Sequence, residues 1–186
     1  ETDHFFSRTA LMYIYMGHMR YKDTKPYEDW FWSKNRIDLV NGYVNSVDFD
    51  NQTLSLENQT INYDKLVIAT GSTPNKFGWK GQDLPGVQGL YSKQDLDILE
   101  ESTKDKQVKR AVIVGGGLIG IELAEMLLSR GIKVTFLVRD NLFWGNVLPK
   151  KDAELITKHI KKHHVDLRLE EELDEIIAGE NGRVSK

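Results

Sequence analysis

Residues 111–131 read Ala111-Val112-Ile113-Val114-Gly115-Gly116-Gly117-Leu118-Ile119-Gly120-Ile121-Glu122-Leu123-Ala124-Glu125-Met126-Leu127-Leu128-Ser129-Arg130-Gly131. The continuous apolar run Ala111 to Val114, closed by glycine, predicts a buried strand of the parallel type. Helical periodicity then runs to Arg130 and stops at Gly131, a residue that takes the left-handed conformation helix ends use. Ile132 to Val138 predicts the next strand. Strand, tight turn, helix and strand in that order make a βαβ unit, so the expected fold class is α/β.

Within that unit Gly115, Gly117 and Gly120 have the spacing of a dinucleotide fingerprint, and the surrounding elements make the motif specific. The first glycine permits the turn, the second lets a pyrophosphate approach the backbone, and the third lets the helix pack close to the sheet. The pyrophosphate would lie against unpaired N–H groups at the positive end of the helix dipole. Gly115, Gly116, Gly117, Leu118, Ile119 and Gly120 are therefore the candidate cofactor-binding loop; a glycine-rich turn with no ligand is the alternative. At the end of the second strand a carboxylate would accept from a ribose 2′-OH, whereas an arginine would pair with a 2′-phosphate. Twenty-three residues after Gly115 stands Val138, followed by Arg139 and Asp140. Arg139 favours NADP; Asp140, within reach of a ribose, keeps NAD open.

Working outward, Pro149 opens a predicted helix to about His163, and Val165 to Leu169 reads as a third strand. Glu172 to Ala178 leads to a hairpin signal at Asn181-Gly182. A cut through that hairpin would leave a strand edge open to pairing, so a homo-oligomer is possible. On the other side, Ser92 and Asp95 form a capping box for a helix from about Lys93 to Ser102. Residues 72–90, with Pro74, Pro85 and several glycines, read as a linker. Before it, Leu66-Val67-Ile68-Ala69 reads as an apolar strand closed by Thr70-Gly71. Asp38 to Val47, Thr53 to Glu57 and Ile61-Asn62 read as a small antiparallel meander. Two helices are expected earlier, Thr9 to Met16 and Pro26 to Lys34, the second with Pro26 in its first turn and Thr24 or Lys25 at its cap.

The chain has 186 residues, enough for one domain and a fraction. A formal net charge of −3 gives no basic footprint for a phosphate backbone, so nucleic acid is not an expected partner. No apolar run approaches the roughly 18 residues of a transmembrane segment. Cysteine is absent, which removes structural disulfides, thiolate metal sites and thiol catalysis from this chain. Opening on Glu1 without a signal segment, it reads as a piece of a longer, cytoplasmic polypeptide.

The stretch Tyr63-Asp64-Lys65-Leu66-Val67-Ile68-Ala69-Thr70-Gly71-Ser72-Thr73-Pro74, followed by the glycine loop and Ile121-Glu122-Leu123-Ala124, resembles the pyridine nucleotide-disulphide oxidoreductase superfamily. The resemblance covers essentially the whole chain. It implies Rossmann-like FAD/NAD(P)-binding domains of the three-layer ββα kind, here residues 1–73 of a partial FAD-binding domain with its meander, and residues 74–186 of an NAD(P)-binding domain. It implies that Thr70 and Gly71 touch FAD and that Glu122 lies near the nicotinamide; a helix-surface glutamate is the alternative for Glu122.

The implied activity of the parent protein is hydride transfer from NAD(P)H to FAD, with electrons passed to a separate acceptor, a small redox protein or a quinone. Phe5 to Leu11 aligns with the neighbourhood of the family's redox cysteine but carries Ser7 and Arg8, which points to the branch that passes electrons onward from flavin. The family's N-terminal FAD glycine fingerprint and its later flavin motif are both absent from this chain, so the fragment alone is expected to be inactive. The competing functions are a nucleotide-binding module without turnover and a membrane-associated NADH:quinone reductase.

Three other features carry weaker signals. His159 and His163 have metal-compatible spacing but no third ligand, and with Lys158, Lys161, Lys162 and His164 they read as a solvated basic face. The run Ala10 to Met16 reads as core rather than a quinone or membrane surface. Trp30 and Trp32 read as packing residues.

Overall fold

The computed structural model describes residues 2, 4–104 and 108–186. They fall into two compact units: Phe6–Thr24 with Pro74–Lys186, and Lys25–Thr73 with Thr2–Phe5. In chain order the elements are α1 (Leu11–Tyr15), α2 (Asp29–Lys34), β1 (Val44–Asp48), β2 (Thr53–Leu56), β3 (Thr60–Asn62), α3 (Lys93–Lys104), β4 (Arg110–Val114), α4 (Leu118–Ser129), β5 (Lys133–Val138), α5 (Lys150–Lys162) and β6 (Asp166–Leu169). The parallel sheet with helical crossovers and the separate antiparallel meander are the α/β architecture expected from the sequence.

The first unit is organised by the parallel sheet β4-β5-β6. Ile113 stands beside Phe136 and Phe136 beside Leu167, and all three are buried. Against them α4 sets Gly120, Ala124 and Leu127, three of its four buried positions and spaced by four and three; Met126 is the fourth. The helix ends as the sequence implies. Gly131 takes a φ of 73°, its N–H donates to the Leu128 carbonyl at 2.9 Å, and that of Ile132 donates to the Leu127 carbonyl at 3.1 Å. This is the Schellman pattern, and the two residues whose apolar side chains usually accompany it, Leu127 and Ile132, both belong to the buried core.

The capping box of α3 is present in both directions. Asp95 N–H donates to Ser92 Oγ at 3.0 Å and Ser92 N–H to Asp95 Oδ2 at 2.8 Å; Tyr91 N–H adds a third bond to the same carboxylate at 2.9 Å. Pro149 sits at the N-cap of α5. From the N-terminal segment, Phe6, Leu11 and Tyr15 enter the core that also holds Leu96, Leu99 and Met126. The run Ala10 to Met16 therefore packs mostly inward, with Tyr13, 46% exposed, as its outward-facing member.

The second unit is the meander β1-β2-β3, with Val47 opposite Leu54 and Leu54 opposite Ile61. Its first turn is fixed by Asp48, whose carboxylate accepts from Asn51 Nδ2 at 2.8 Å and from the N–H groups of Asn51 and Asp50 at 2.9 and 3.0 Å. These bonds, the Asn51 side chain first, hold the Asp48 carboxyl below its ordinary pKa.

Several boundaries differ from expectation. α2 begins at Asp29 with Glu28 as N-cap, so Pro26 lies before the helix. Thr24 caps nothing there; its hydroxyl closes the preceding 3-10 turn on the Tyr21 carbonyl at 2.6 Å. β1 starts at Val44 rather than Asp38. Leu66-Val67-Ile68-Ala69 forms no strand: no described strand pairs with it, and Val67 is 85% exposed. An apolar composition favours a strand, but a ladder needs a neighbour to bond to. At the C-terminus the hairpin is reduced to the bridge between Ala178 and Val184. Trp30 is 59% exposed rather than packed, outside the ring cluster in which Tyr27, just before α2, stacks on Phe31 at 4.1 Å and Trp32 meets both edge-on.

Candidate functional site

The glycine loop joins the carboxyl end of β4 to the first turn of α4. Gly115 has a φ of 114°, a conformation closed to side-chain-bearing residues in practice, and its N–H donates to the Leu137 carbonyl at 3.1 Å. Gly117 is the extended N-cap of α4 and carries no side-chain cap. A Cβ on Gly117 would meet no atom within 4 Å; it would project into open space in front of the helix. The first-turn N–H groups of a helix have no intrahelical acceptor, so the loop presents donors and a positive dipole end to that space.

Gly120 solves the packing problem behind it. A Cβ there would lie 2.6 Å from Phe136 Cζ and 2.8 Å from the Gly115 carbonyl oxygen. The third glycine is thus what brings α4 onto β5 and seats the loop. Gly116 rests on Val138, whose Cγ1 would be 3.1 Å from an added Cβ. Leu118 and Ile119 are 60% and 55% exposed at the head of the helix.

The other sequence-selected residues separate into groups. Val138, only 3% exposed, is a floor under Gly116, and its carbonyl accepts from Glu171 N–H at 3.3 Å. Arg139 and Asp140 follow it, both exposed, and Arg139 makes no ion pair among the described residues. Glu122 is half-buried on α4, also without an ion pair among them. Thr70 and Gly71 lie in the second unit, exposed, with Gly71 at a φ of 75°. The rings of His159 and His163 lie 4.3 Å apart. Among the described residues no cluster of three or more histidine and acidic side chains is arranged for a metal.

Ser7 and Arg8, at the segment where the resemblance would place a redox cysteine, are held by close contacts. Ser7 Oγ is 3.1 Å from Thr9 Oγ1, and Arg8 donates to the Tyr91 carbonyl at 2.9 Å with its guanidinium over the Tyr91 ring at 4.4 Å. Two residues escaped the sequence reading. Phe136, under Gly120, was legible in principle as a helix-facing position of β5. Trp144 has a φ of 58°, for which the sequence offers only the neighbouring Gly145 as a sign of a turn.

A family model described as pyridine nucleotide-disulphide oxidoreductase matches residues 3–185. The chain is 31% identical over 175 residues to the nitrite reductase (NAD(P)H) of Bacillus subtilis, covering 92% of this chain and 21% of that protein. It is 32% identical over 149 residues to an NADH oxidase of Enterococcus faecalis, covering 77% and 33%. Among solved structures, a NAD-dependent persulfide reductase from A. fulgidus superposes with a TM-score of 0.84 at 26% identity, over 96% of this chain and 35% of that one. The chain thus spans about a fifth to a third of the length of these two curated relatives. No helix among the described residues is long and apolar enough to cross a membrane. With the glycine loop seated as described and the match running over nearly its whole length, the chain belongs to the pyridine nucleotide-disulphide oxidoreductase family.

Proposed function

We propose that this chain is the nucleotide-binding portion, with part of the flavin-binding portion, of a cytoplasmic FAD-dependent NAD(P)H oxidoreductase. Residues 1–73 are assigned to the flavin domain and 74–186 to the nucleotide domain. The observation that carries the reading is the head of α4, where Gly117 leaves open space and Gly120 seats the helix on Phe136; the first-turn N–H groups there have no intrahelical acceptor. That combination fits a pyrophosphate. The similarity to the NADH oxidase of Enterococcus faecalis and to the NAD(P)H sulfur oxidoreductase (CoA-dependent) of Pyrococcus abyssi supports a nicotinamide donor.

In this reading the loop Gly115 to Gly120 holds the pyrophosphate: Gly115, its N–H bonded to the Leu137 carbonyl, sets the turn, and the backbone N–H groups that follow it donate to the phosphates. Arg139, exposed and unpaired by any described carboxylate, meets the ribose 2′ substituent; a charge-assisted contact there favours NADPH over NADH. Glu122 orients the nicotinamide end, and Thr70 with Gly71 contacts the flavin. When bound, the two cofactors supply hydride transfer from nicotinamide C4 to flavin N5 and onward delivery of electrons to a separate acceptor, a small redox protein or a quinone. The side chains of this chain position that chemistry and do not themselves become covalently involved. Anaerobic mixing of the yellow full-length protein with NADPH tests the proposal: bleaching of the flavin absorbance is expected, and bleaching by neither reduced nucleotide overturns it.

A further inference from the structure

We propose that Trp144 is the stacking platform for the adenine ring of the dinucleotide, an inference that rests on the nucleotide-binding reading of the glycine loop. With a φ of 58°, Trp144 occupies the left-handed region that bulky residues rarely adopt. Such a conformation persists only where its surroundings over-determine it, and it concentrates at ligand clamps. Here the surroundings do so. Val147 and Leu148 both donate to the Trp144 carbonyl, at 3.0 and 2.9 Å, and Gly145 N–H donates to the Leu142 carbonyl at 3.2 Å. The preceding N–H, that of Phe143, is tied to the buried Thr157 hydroxyl of α5 at 2.9 Å.

The position of the ring follows from a chain of aromatic contacts. Trp144 lies offset-stacked on Phe143, centroids 5.7 Å apart and planes 25° apart. Phe143 meets Phe136 edge-on at 5.7 Å, and Phe136 is the ring beneath Gly120. The half-buried indole is therefore fixed two ring contacts from the floor of the glycine loop, in the same β5-to-α5 connection that carries Arg139. In α/β sheets ligands bind outside the carboxyl ends of the strands, which is where this connection begins. A held aromatic face at that place suits a purine base, since every base offers a π-face and stacking needs no hydrogen-bond code.

Calorimetric titration of the full-length protein with NADPH and with ADP-ribose, which carries adenine but no nicotinamide, tests the inference. Trp144→Ala is expected to weaken both ligands by the same factor, roughly tenfold, and Trp144→Phe to remain within about threefold of wild type. If Trp144→Ala fails to fold, Trp144→Leu keeps apolar bulk without a π-face and should lose affinity to a similar degree. A folded Trp144→Ala or Trp144→Leu chain with unchanged ADP-ribose affinity overturns the platform while leaving the nucleotide site intact. A folded wild-type full-length protein that binds neither ligand overturns the nucleotide-binding reading itself, and the platform with it.

Discussion

Replacing Gly120 by alanine places a methyl group where the structure has none to spare. The dinucleotide fingerprint in general accepts alanine at its third position, so the prediction is particular to this chain. The added Cβ would stand 2.6 Å from Phe136 Cζ and 2.8 Å from the Gly115 carbonyl oxygen, whereas carbon atoms rest at about 3.5–4.0 Å. Phe136 would have to retreat by roughly 1 Å. It is 0% exposed, braced edge-on by Phe143 and flanked in the sheet by Ile113 and Leu167. Gly115 is no freer, since its N–H is bonded to Leu137. Overpacking of this kind costs about 1–3 kcal/mol, offset by the gain of about 0.5–1 kcal/mol when alanine replaces glycine in a helix. The net loss is therefore centred on about 1 kcal/mol, with an upper bound of about 2.5; at the centre this is about 2–4 °C in Tm for a chain of this size. Thermal unfolding followed by circular dichroism measures it. Gly117→Ala is the internal contrast: its Cβ meets nothing within 4 Å, so stability should hold within about 0.5 kcal/mol while NADPH affinity falls. A Gly120→Ala chain as stable as wild type would refute the account of how the helix is seated.

Three further outcomes follow from single groups. Ser92→Ala removes one arm of the α3 capping box and should cost about 1 kcal/mol, read as a lower urea midpoint at constant m. Arg139→Ala should weaken NADPH about tenfold or more and NADH much less, in parallel calorimetric titrations; equal losses would mean that the end of β5 was misassigned. The Asp48 carboxyl has a lowered folded pKa, so its contribution is present above its unfolded pKa and is lost as pH falls through the folded value. Amide exchange in the β1–β2 turn should accelerate over that acid window, and Asp48→Asn should flatten the response.

The βαβ unit was legible because its signals are local. An apolar strand, a glycine turn, an amphipathic helix and a Schellman glycine at Gly131 each state their conformation within a few residues. The capping box at Ser92 and Asp95 is legible for the same reason. What failed was non-local. Leu66 to Ala69 has the composition of a strand, but a strand is a relation between two segments, and no partner stands beside it among the described residues. Val138 was singled out by its spacing from Gly115; the alternation of β5 turns its side chain under Gly116, a fact that depends on which face of the sheet α4 covers. Trp144 was invisible because tryptophan carries no left-handed preference. Its backbone is set by hydrogen bonds converging from residues 142–148 and from Thr157 on α5.

The last consequence concerns the segment Phe6–Thr24, assigned by sequence to the flavin side yet packed within the unit that carries the glycine loop. Arg130, the C-cap of α4, holds it there. Its guanidinium donates twice to the Tyr15 carbonyl, once at 3.0 Å from Nε, lies over the Tyr15 ring at 3.6 Å and pairs with Glu100 on α3 at 3.1 Å. Tyr15 is itself buried and bonded through its hydroxyl to Thr103 at 2.9 Å. One helix of 12 residues, about 18 Å long, thus runs from the glycine loop at its head to the N-terminal segment at its foot. Arg130→Ala removes a charged donor from the Tyr15 carbonyl, a change of about 2–3 kcal/mol, and should lower Tm accordingly. Arg130→Lys keeps the charge for Glu100 but not the planar fork, and should recover less than half of that loss. Because the loop lies at the other end of α4, NADPH affinity below the transition should stay within about twofold of wild type, as expected for distant sites that share no partner. Hydrogen exchange separates the two possibilities: faster exchange confined to residues 11–16 supports a clasp on the N-terminal segment. An equal rise at Gly115 to Gly120 would show that the foot and the head of α4 move as one.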